Sequence, residues 1–352
     1  MTETRGTSRL EWMDVVRGAA IVLVMFHHAV SSLDQRAISI PEPLDLADDA
    51  LAPFRMPTLI FLSGMLLSKS IAKPTGEYLD GKVRKILWPY VVWSLIILSV
   101  AGEISGTALV DVIIEPPTGL WYLWFLMVFY VGALIINRLR IPWLLVAVGA
   151  IMLSAFAPDA YRAARFLYLL AFFAAGHLYM QHRAQIDRWL RRWLLVVIGG
   201  AAAVTVGVIS ATDKEVRYES IWAWGVFAAV AIVVRFAPAI PTSGRTLAPI
   251  TSVGVNSLVY YVSHWPVMLL VMYAFDWLDI TNPWVSVLAN VLVAFAACVV
   301  LVTLNRRSRL VAAFYEFPRL RKPNPVSLRQ ERLDRGRFGG RQRGIEEQAV
   351  TE

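Results

Sequence analysis

The residues that could do chemistry begin in one apolar stretch, Trp12 to His28, with Asp14 and Arg17 near its start and the pair His27-His28 at its far end. A charge inside a membrane span is costly, so an ionisable group there is a functional candidate by default. Arg17 and His28 are eleven residues apart. At roughly 100° per residue they return to nearly the same helix face, about 16 Å apart along the axis. Asp14, three residues before Arg17, shares that stripe, whereas His27 is turned away by about 100°. A guanidinium pairs with phosphate oxygens, and an imidazole can take a proton near neutral pH. The stripe thus presents an acid, a guanidinium and an imidazole in a line, from one membrane edge to about half a bilayer away. His28 is the candidate base, with Arg17 and Asp14 as functional candidates on the same face; His27 reads as structural.

Other residues are candidates with plainer readings beside them. Lys82, Arg84 and Lys85 could hold phosphates, or could simply be basic anchors at a membrane edge. Ser63-Gly64 in a span lets two helices approach closely. The pattern Gly-x-Ser-x-Gly is absent from this segment, so a serine-hydrolase reading has little support. Trp121-Tyr122-Leu123-Trp124-Phe125 has the texture of an interfacial aromatic belt. Tyr260 to Pro266 places His264 inside another apolar run, either as a satisfied core histidine or as a residue on a substrate path; His177 and His182 read as structural. Spacing alone leaves an enzyme and a proton-coupled transporter both open, since a transporter also needs intramembrane His, Asp and Arg. The hydropathy does not visibly repeat between halves, which disfavours the commoner transporter folds.

The elements that must position these groups are membrane helices. The 352-residue chain is 57% hydrophobic and 17% charged, against about 45–50% and 25% for soluble domains. The apolar residues come in blocks of about twenty. The sequence predicts an all-α polytopic membrane protein with about ten spans, near 15–33, 52–72, 86–102, 119–137, 142–157, 161–181, 193–211, 219–236, 250–275 and 283–304. Residues 1–14 form a short N-terminal segment, 15–304 the membrane domain, and 305–352 a basic tail expected to be mostly disordered. With the N-terminus placed inside, basic residues outside the tail divide 15 inside to 6 outside, which predicts both termini in the cytoplasm. The 34–51 segment reads as an acidic outer loop and 69–89 as a basic inner one. The net charge of +8 lies in loops and tail, which argues for a bilayer partner and against nucleic acid. Cys298 is the single cysteine, which excludes a disulfide framework and a thiolate metal site. The first span carries Arg17 and two histidines, so it reads as retained rather than as a cleaved signal.

Taken together, these segments resemble the integral-membrane acyltransferase family 3, which O-acylates bacterial surface and secreted glycans. Arg17-x10-His28 with Asp14 is similar to the family's first-span signature. Phe54-Arg55-Met56-Pro57 through Ser63-Gly64, Lys82-x2-Lys85-Ile86-Leu87-Trp88-Pro89-Tyr90, Leu120 to Leu126, and Val262-Ser263-His264-Trp265-Pro266 resemble later family segments in order. The basic stretch departs from the family pattern in having two lysines where arginines are commoner. The resemblance implies an O-acyltransferase, most simply an O-acetyltransferase, in the bacterial inner membrane. It would use acyl-coenzyme A (acetyl-CoA) as co-substrate, no metal, and a carbohydrate or glycolipid hydroxyl as acceptor. It further implies that Arg17, Lys82, Arg84 and Lys85 hold the donor, that His28 activates the acceptor, and that His264, Ser63 and Trp124 line the substrate cavity. The predicted topology is checked by single cysteines. Those near residues 45 and 215 should react with an impermeant reagent on intact cells, and those near 78 and 187 only after permeabilisation. Labelling near 78 from outside would invert the orientation.

Overall fold

The computed structural model of the chain describes residues 10–107, 112, 119–158, 162–213, 216–240 and 246–318. The first nine residues, part of the 103–118 segment and the expected disordered tail beyond 318 lie outside the described residues. The described residues fold into α1 (Glu11–Gln35), α2 (Glu42–Ser70), α3 (Thr75–Ala101), α4 (Trp121–Arg138), α5 (Trp143–Ser154), α6 (Ala163–Gln181), α7 (Arg183–Leu190), α8 (Trp193–Thr212), α9 (Ser220–Ala239), α10 (Ala248–Val255), α11 (Ser257–Trp277), α12 (Pro283–Arg307) and α13 (Arg309–Ala313). Among the described residues nine helices are long and apolar enough to cross a membrane.

The differences from the sequence reading have local causes. The expected span at 142–157 is α5, with 12 residues; at 1.5 Å per residue that is about 18 Å, well short of a hydrocarbon core of about 30 Å. The expected span at 250–275 is two helices, broken at Asn256. The acidic 34–51 segment is not a loop throughout. Pro41 precedes α2, and Glu42 and Asp45 occupy its first turn, where carboxylates complement the helix dipole. Asp48 and Asp49 therefore sit on a helix and are buried. Nor is 69–89 a basic loop, since the chain is helical again from Thr75. Within α3 the residues Val83–Leu87 form a π turn, just upstream of Pro89, which has no N–H to donate to the carbonyl four residues before it. Tyr78 is buried while Glu77 is exposed, so the topology label for this segment goes on Glu77.

The core lies where α1 and α2 meet the rest. α2 packs on α1, α6, α8 and α9, and α1 packs on α10, α11 and α12. By contrast, α8 buries only Val206, Gly207 and Ser210 among its described side chains. Its Leu194, Val197, Ile198, Val204 and Val208 are exposed, as a helix facing lipid requires. Two reciprocal glycine contacts set the closest crossings. A Cβ on Gly64 would run into the Phe173 carbonyl, and one on Gly176 into the Phe61 carbonyl, so α2 and α6 touch backbone to backbone. Gly18 and Gly254 stand in the same relation, against the carbonyls of Ile250 and Asp14, which brings α10 against the Arg17 end of α1. Small residues allow such approach, and the dispersion gained drives helix association in lipid. Gly64→Ala should therefore lower stability by about 1–3 kcal/mol through overpacking, read as a lower unfolding temperature in detergent. Gly132→Ala, with nothing within 4 Å of the added carbon, should be neutral or slightly stabilising.

Candidate active site

α1 is one uninterrupted helix from Glu11 to Gln35, so the spacing of its ionisable residues becomes real geometry. At its start the Arg17 guanidinium donates to Asp14, Nη1 to Oδ1 at 3.4 Å, with Asp14 buried and Arg17 partly exposed. Arg17 lines a cavity of about 260 Å³ together with Ser63, Lys85, Tyr122, Tyr130 and Tyr261. It also lines a second space of about 240 Å³ with Asp14, Lys69 and Met180. Lys69 and Lys85 are exposed and make no hydrogen bond or ion pair among the described residues. Three cations thus face one mouth of the bundle, two of them without an anion. Ser63 lines this cavity, but its hydroxyl donates to the Leu59 carbonyl at 2.9 Å and receives the Tyr122 hydroxyl at 3.0 Å. It shapes the wall, and among the described residues no base is hydrogen-bonded to it.

The other end of α1 is a histidine cluster. The His28 ring centroid is 5.2 Å from those of His27 and His264 and 4.8 Å from that of Trp265. Nδ1–H of His264 donates to the Tyr260 carbonyl at 2.9 Å. A carbonyl can only accept, so the proton is on Nδ1 and Nε2 carries the lone pair. That Nε2 is buried and has no hydrogen-bond partner among the described residues. His264 does not line the Arg17 cavity, but Tyr261 joins the two: it lines the cavity and its ring lies 6.2 Å from His264. Both Arg17 and His28 face α11, as the stripe predicts, one opposite Ser257 and Tyr261 and the other opposite His264 and Trp265.

His27, on the adjacent face, meets α2. Its Nδ1–H donates to Oδ2 of Asp48 at 2.8 Å, and the other carboxylate oxygen accepts from the buried Arg55 guanidinium. Arg217 approaches the same carboxylate at 3.8 Å and pairs with Asp49. Sequence reasoning missed this network because it took Asp48 and Asp49 as loop acids. The available signal was the separation of seven residues between Asp48 and Arg55, two helical turns on one face. The cavity-lining tyrosines Tyr122, Tyr130 and Tyr261 carried no signal that set them apart from packing residues.

The remaining candidates are placed elsewhere. The Lys82 ammonium lies 3.3 Å from the ring centre of Tyr130 and 3.4 Å from the Ser70 hydroxyl, behind the cavity wall. Arg84 is buried and pairs with Glu316 at 2.7 Å and Asp80 at 3.7 Å. Glu316 is delivered by the segment after α12, which the Trp88 indole ties down at the Ala313 carbonyl (2.6 Å) and the Trp93 indole at the Phe314 carbonyl (3.1 Å). The Tyr315 hydroxyl meets Ser263 at 2.9 Å. Of the basic stretch, only Lys85 reaches the cavity with Arg17. Trp124 packs on Phe125 and Phe166, away from that cavity, because it points off the opposite side of α4 from Leu123 and Leu126. No group of three or more His, Cys, Asp or Glu suited to a metal occurs among the described residues.

A bundle of membrane-length helices that encloses a cation-lined cavity and, one Tyr ring away, a cluster of imidazoles defines a multi-pass membrane protein with ionisable groups gathered in its core. Residues 10–303 match the acyltransferase 3 family, described as an acyltransferase domain, and the chain belongs to that family. It is 28% identical over 160 residues to the inner membrane protein YcfT of Escherichia coli (strain K12), a match covering 37% of this chain and 45% of that protein. The chain thus spans less than half the length of this curated relative. No solved structure matches. The Asp48 network generates a stability prediction. Asp48→Ala leaves Arg55 buried without its carboxylate, which should cost about 3–5 kcal/mol. Asp34→Ala, at the exposed end of α1, should change little, both read by thermal unfolding of the purified protein.

Proposed function

We propose that this protein is an acyltransferase that moves an acyl group, acetyl in the simplest case, from cytosolic acyl-coenzyme A to a hydroxyl of a surface or lipid-linked carbohydrate. The observation that carries the reading is the continuity from the Arg17–Lys85 cavity through Tyr261 to His264 and His28. The excess of basic residues on one side supports a cytoplasmic Arg17 end, where a phosphate-bearing donor that cannot cross the bilayer is found. The relative's description as an inner membrane protein supports the bacterial inner membrane as location.

In this reading Arg17, oriented by Asp14, joins Lys85 and Lys69 in holding the donor phosphates. Lys82 and Arg84 act at a remove, Lys82 behind the cavity wall and Arg84 through its Glu316 pairing. The donor arm extends along the α1–α11 seam toward the histidines. His28 takes the proton of the acceptor hydroxyl as its oxygen attacks the thioester carbonyl carbon. The carbon–sulfur bond breaks, the sulfur leaves as thiolate, and it takes up a proton from solvent at the cationic mouth. The products are the ester and the free thiol; His28 returns its proton to solvent at the far face. His264, with its lone pair on Nε2, flanks His28.

The purified protein given acetyl-coenzyme A and a carbohydrate acceptor should release free thiol in proportion to ester formed. His28→Ala should lower that rate by about 10²–10⁴-fold, the usual cost of losing a general base, at unchanged protein level. His27→Ala should cost much less, and Arg17→Lys, which keeps charge but loses the planar fork, should mainly raise the donor KM. Gradient-driven solute uptake without thioester consumption would overturn the reading in favour of a transporter. An inactive His27→Ala beside a normal His28→Ala would move the base to the Asp48-bound imidazole.

A further inference from the structure

The histidine end of the bundle contains a guanidinium that the acyl-transfer scheme does not use. Arg165 lies in the first turn of α6, at the positive end of a helix dipole where a cation is disfavoured. It makes no hydrogen bond or ion pair among the described residues, and its Nε is buried without a partner. Two aromatic faces hold it: its guanidinium carbon is 4.6 Å from the ring centre of Tyr218 and 5.3 Å from that of Trp121. Those two rings stand edge to face, 6.3 Å apart. Tyr218 itself is fixed at φ +65°, in the left-handed region that a bulky side chain rarely adopts and that is found where function over-determines the backbone.

This arrangement has a chemical meaning. Ring contacts use the faces of a guanidinium and desolvate it, and they leave its N–H edges to donate. The carboxylates nearby are not available: Asp48 is bound by Arg55 and His27, and Asp49 by Arg217. Glu219, beside Tyr168, is exposed and pairs with none of these arginines among the described residues. Burial raises the pKa of the Tyr218 phenol, against the pull of Arg165, Arg55 and Arg217. A half-buried, clamped fork with no anion among the described residues is built to receive one.

We infer that Arg165, clamped by Trp121 and Tyr218, is an oxyanion-binding site at the histidine end of the bundle, taking a phosphate or carboxylate group. From Arg165 the polar groups run through Tyr218 and the adjoining Arg217 to Asp48 and His27, and so to His28. An acceptor anchored by its anion at Arg165 presents its remaining hydroxyls toward the histidines. That assignment to the acceptor rests on the acyl-transfer reading above; the anion binding does not.

The test is calorimetric titration of the full-length protein in detergent, in a Lys69→Ala/Lys85→Ala background that removes the exposed cations of the other mouth. The probes are inorganic phosphate, glucuronate and farnesyl phosphate, standing for a free anion, a sugar acid and a lipid headgroup. At least one should bind, at least tenfold more weakly after Arg165→Gln and with intermediate affinity after Arg165→Lys. Trp121→Leu, which keeps the charge and removes one jaw of the clamp, should weaken the same probe, and carries the test if Arg165→Gln fails to fold. Whichever probe responds identifies the source of the anion. No binding by any probe, or binding indifferent to Arg165 and Trp121, overturns the site. Absence of thiol release by the wild-type protein with anion binding intact would instead overturn only the acyl-transfer reading.

Discussion

A charge held among apolar helices is costly unless an opposite charge meets it, and Asp48 is where several such charges in this bundle are met. One carboxylate on α2 receives His27 from α1 and Arg55 from two turns along α2, and Arg217 from the α8–α9 connection stands beside it. The bond to His27 does more than neutralise. Because α1 is a single helix, fixing the direction of one residue fixes all the others at about 100° per step. With His27 aimed at α2, His28 must face α11 and its His264 and Trp265, and Arg17 must face the cavity. The residue read from the sequence as structural thus sets the aim of the residues read as chemical.

The glycine crossings supply the complementary restraint. Hydrogen bonds and ion pairs choose a rotation, but they do not set how far apart two helices lie. Gly18 with Gly254, and Gly64 with Gly176, bring backbones into contact at two places. The first pair lies within a turn of Asp14 and Arg17, so the cavity wall at this end is backbone against backbone and has little freedom to adjust. The second pins α6, whose first turn carries Arg165, to α2, which carries Asp48 and Arg55.

The helical class, most of the spans and the Arg17–His28 stripe were legible in the sequence, because apolar block length and a 3.6-residue period are local properties. What failed to show depends on where helices begin. Read as starting at 52, α2 left Asp48 and Asp49 in a loop; starting at Glu42, it makes them partners of His27 and Arg217. The division of labour within Lys82, Arg84 and Lys85 was equally invisible, since Tyr130 and Glu316, which engage the first two, come from 48 residues and 232 residues away in the chain. The orphan character of Arg165 is likewise a statement about what does not surround it, and sequence has no notation for that.

The π turn at Val83–Leu87 has a consequence for chain length rather than composition. Such a turn holds one residue more than an α-helical turn would. Deleting a single residue there would restore an unbroken α-helix and leave the side chains on its two sides in nearly their present relation, because the wide turn absorbs the extra residue. Winding the same residues into a regular α-helix without a deletion would instead swing every later side chain relative to the earlier ones. Trp88 and Trp93 would then leave the carbonyls of Ala313 and Phe314, and Arg84 and Lys85 could no longer serve Glu316 and the cavity at once. A one-residue gap at this point is therefore a smaller change than the same gap elsewhere in α3. In relatives that differ in length here, residues on the two sides of the turn correspond in space only after the frame has been shifted.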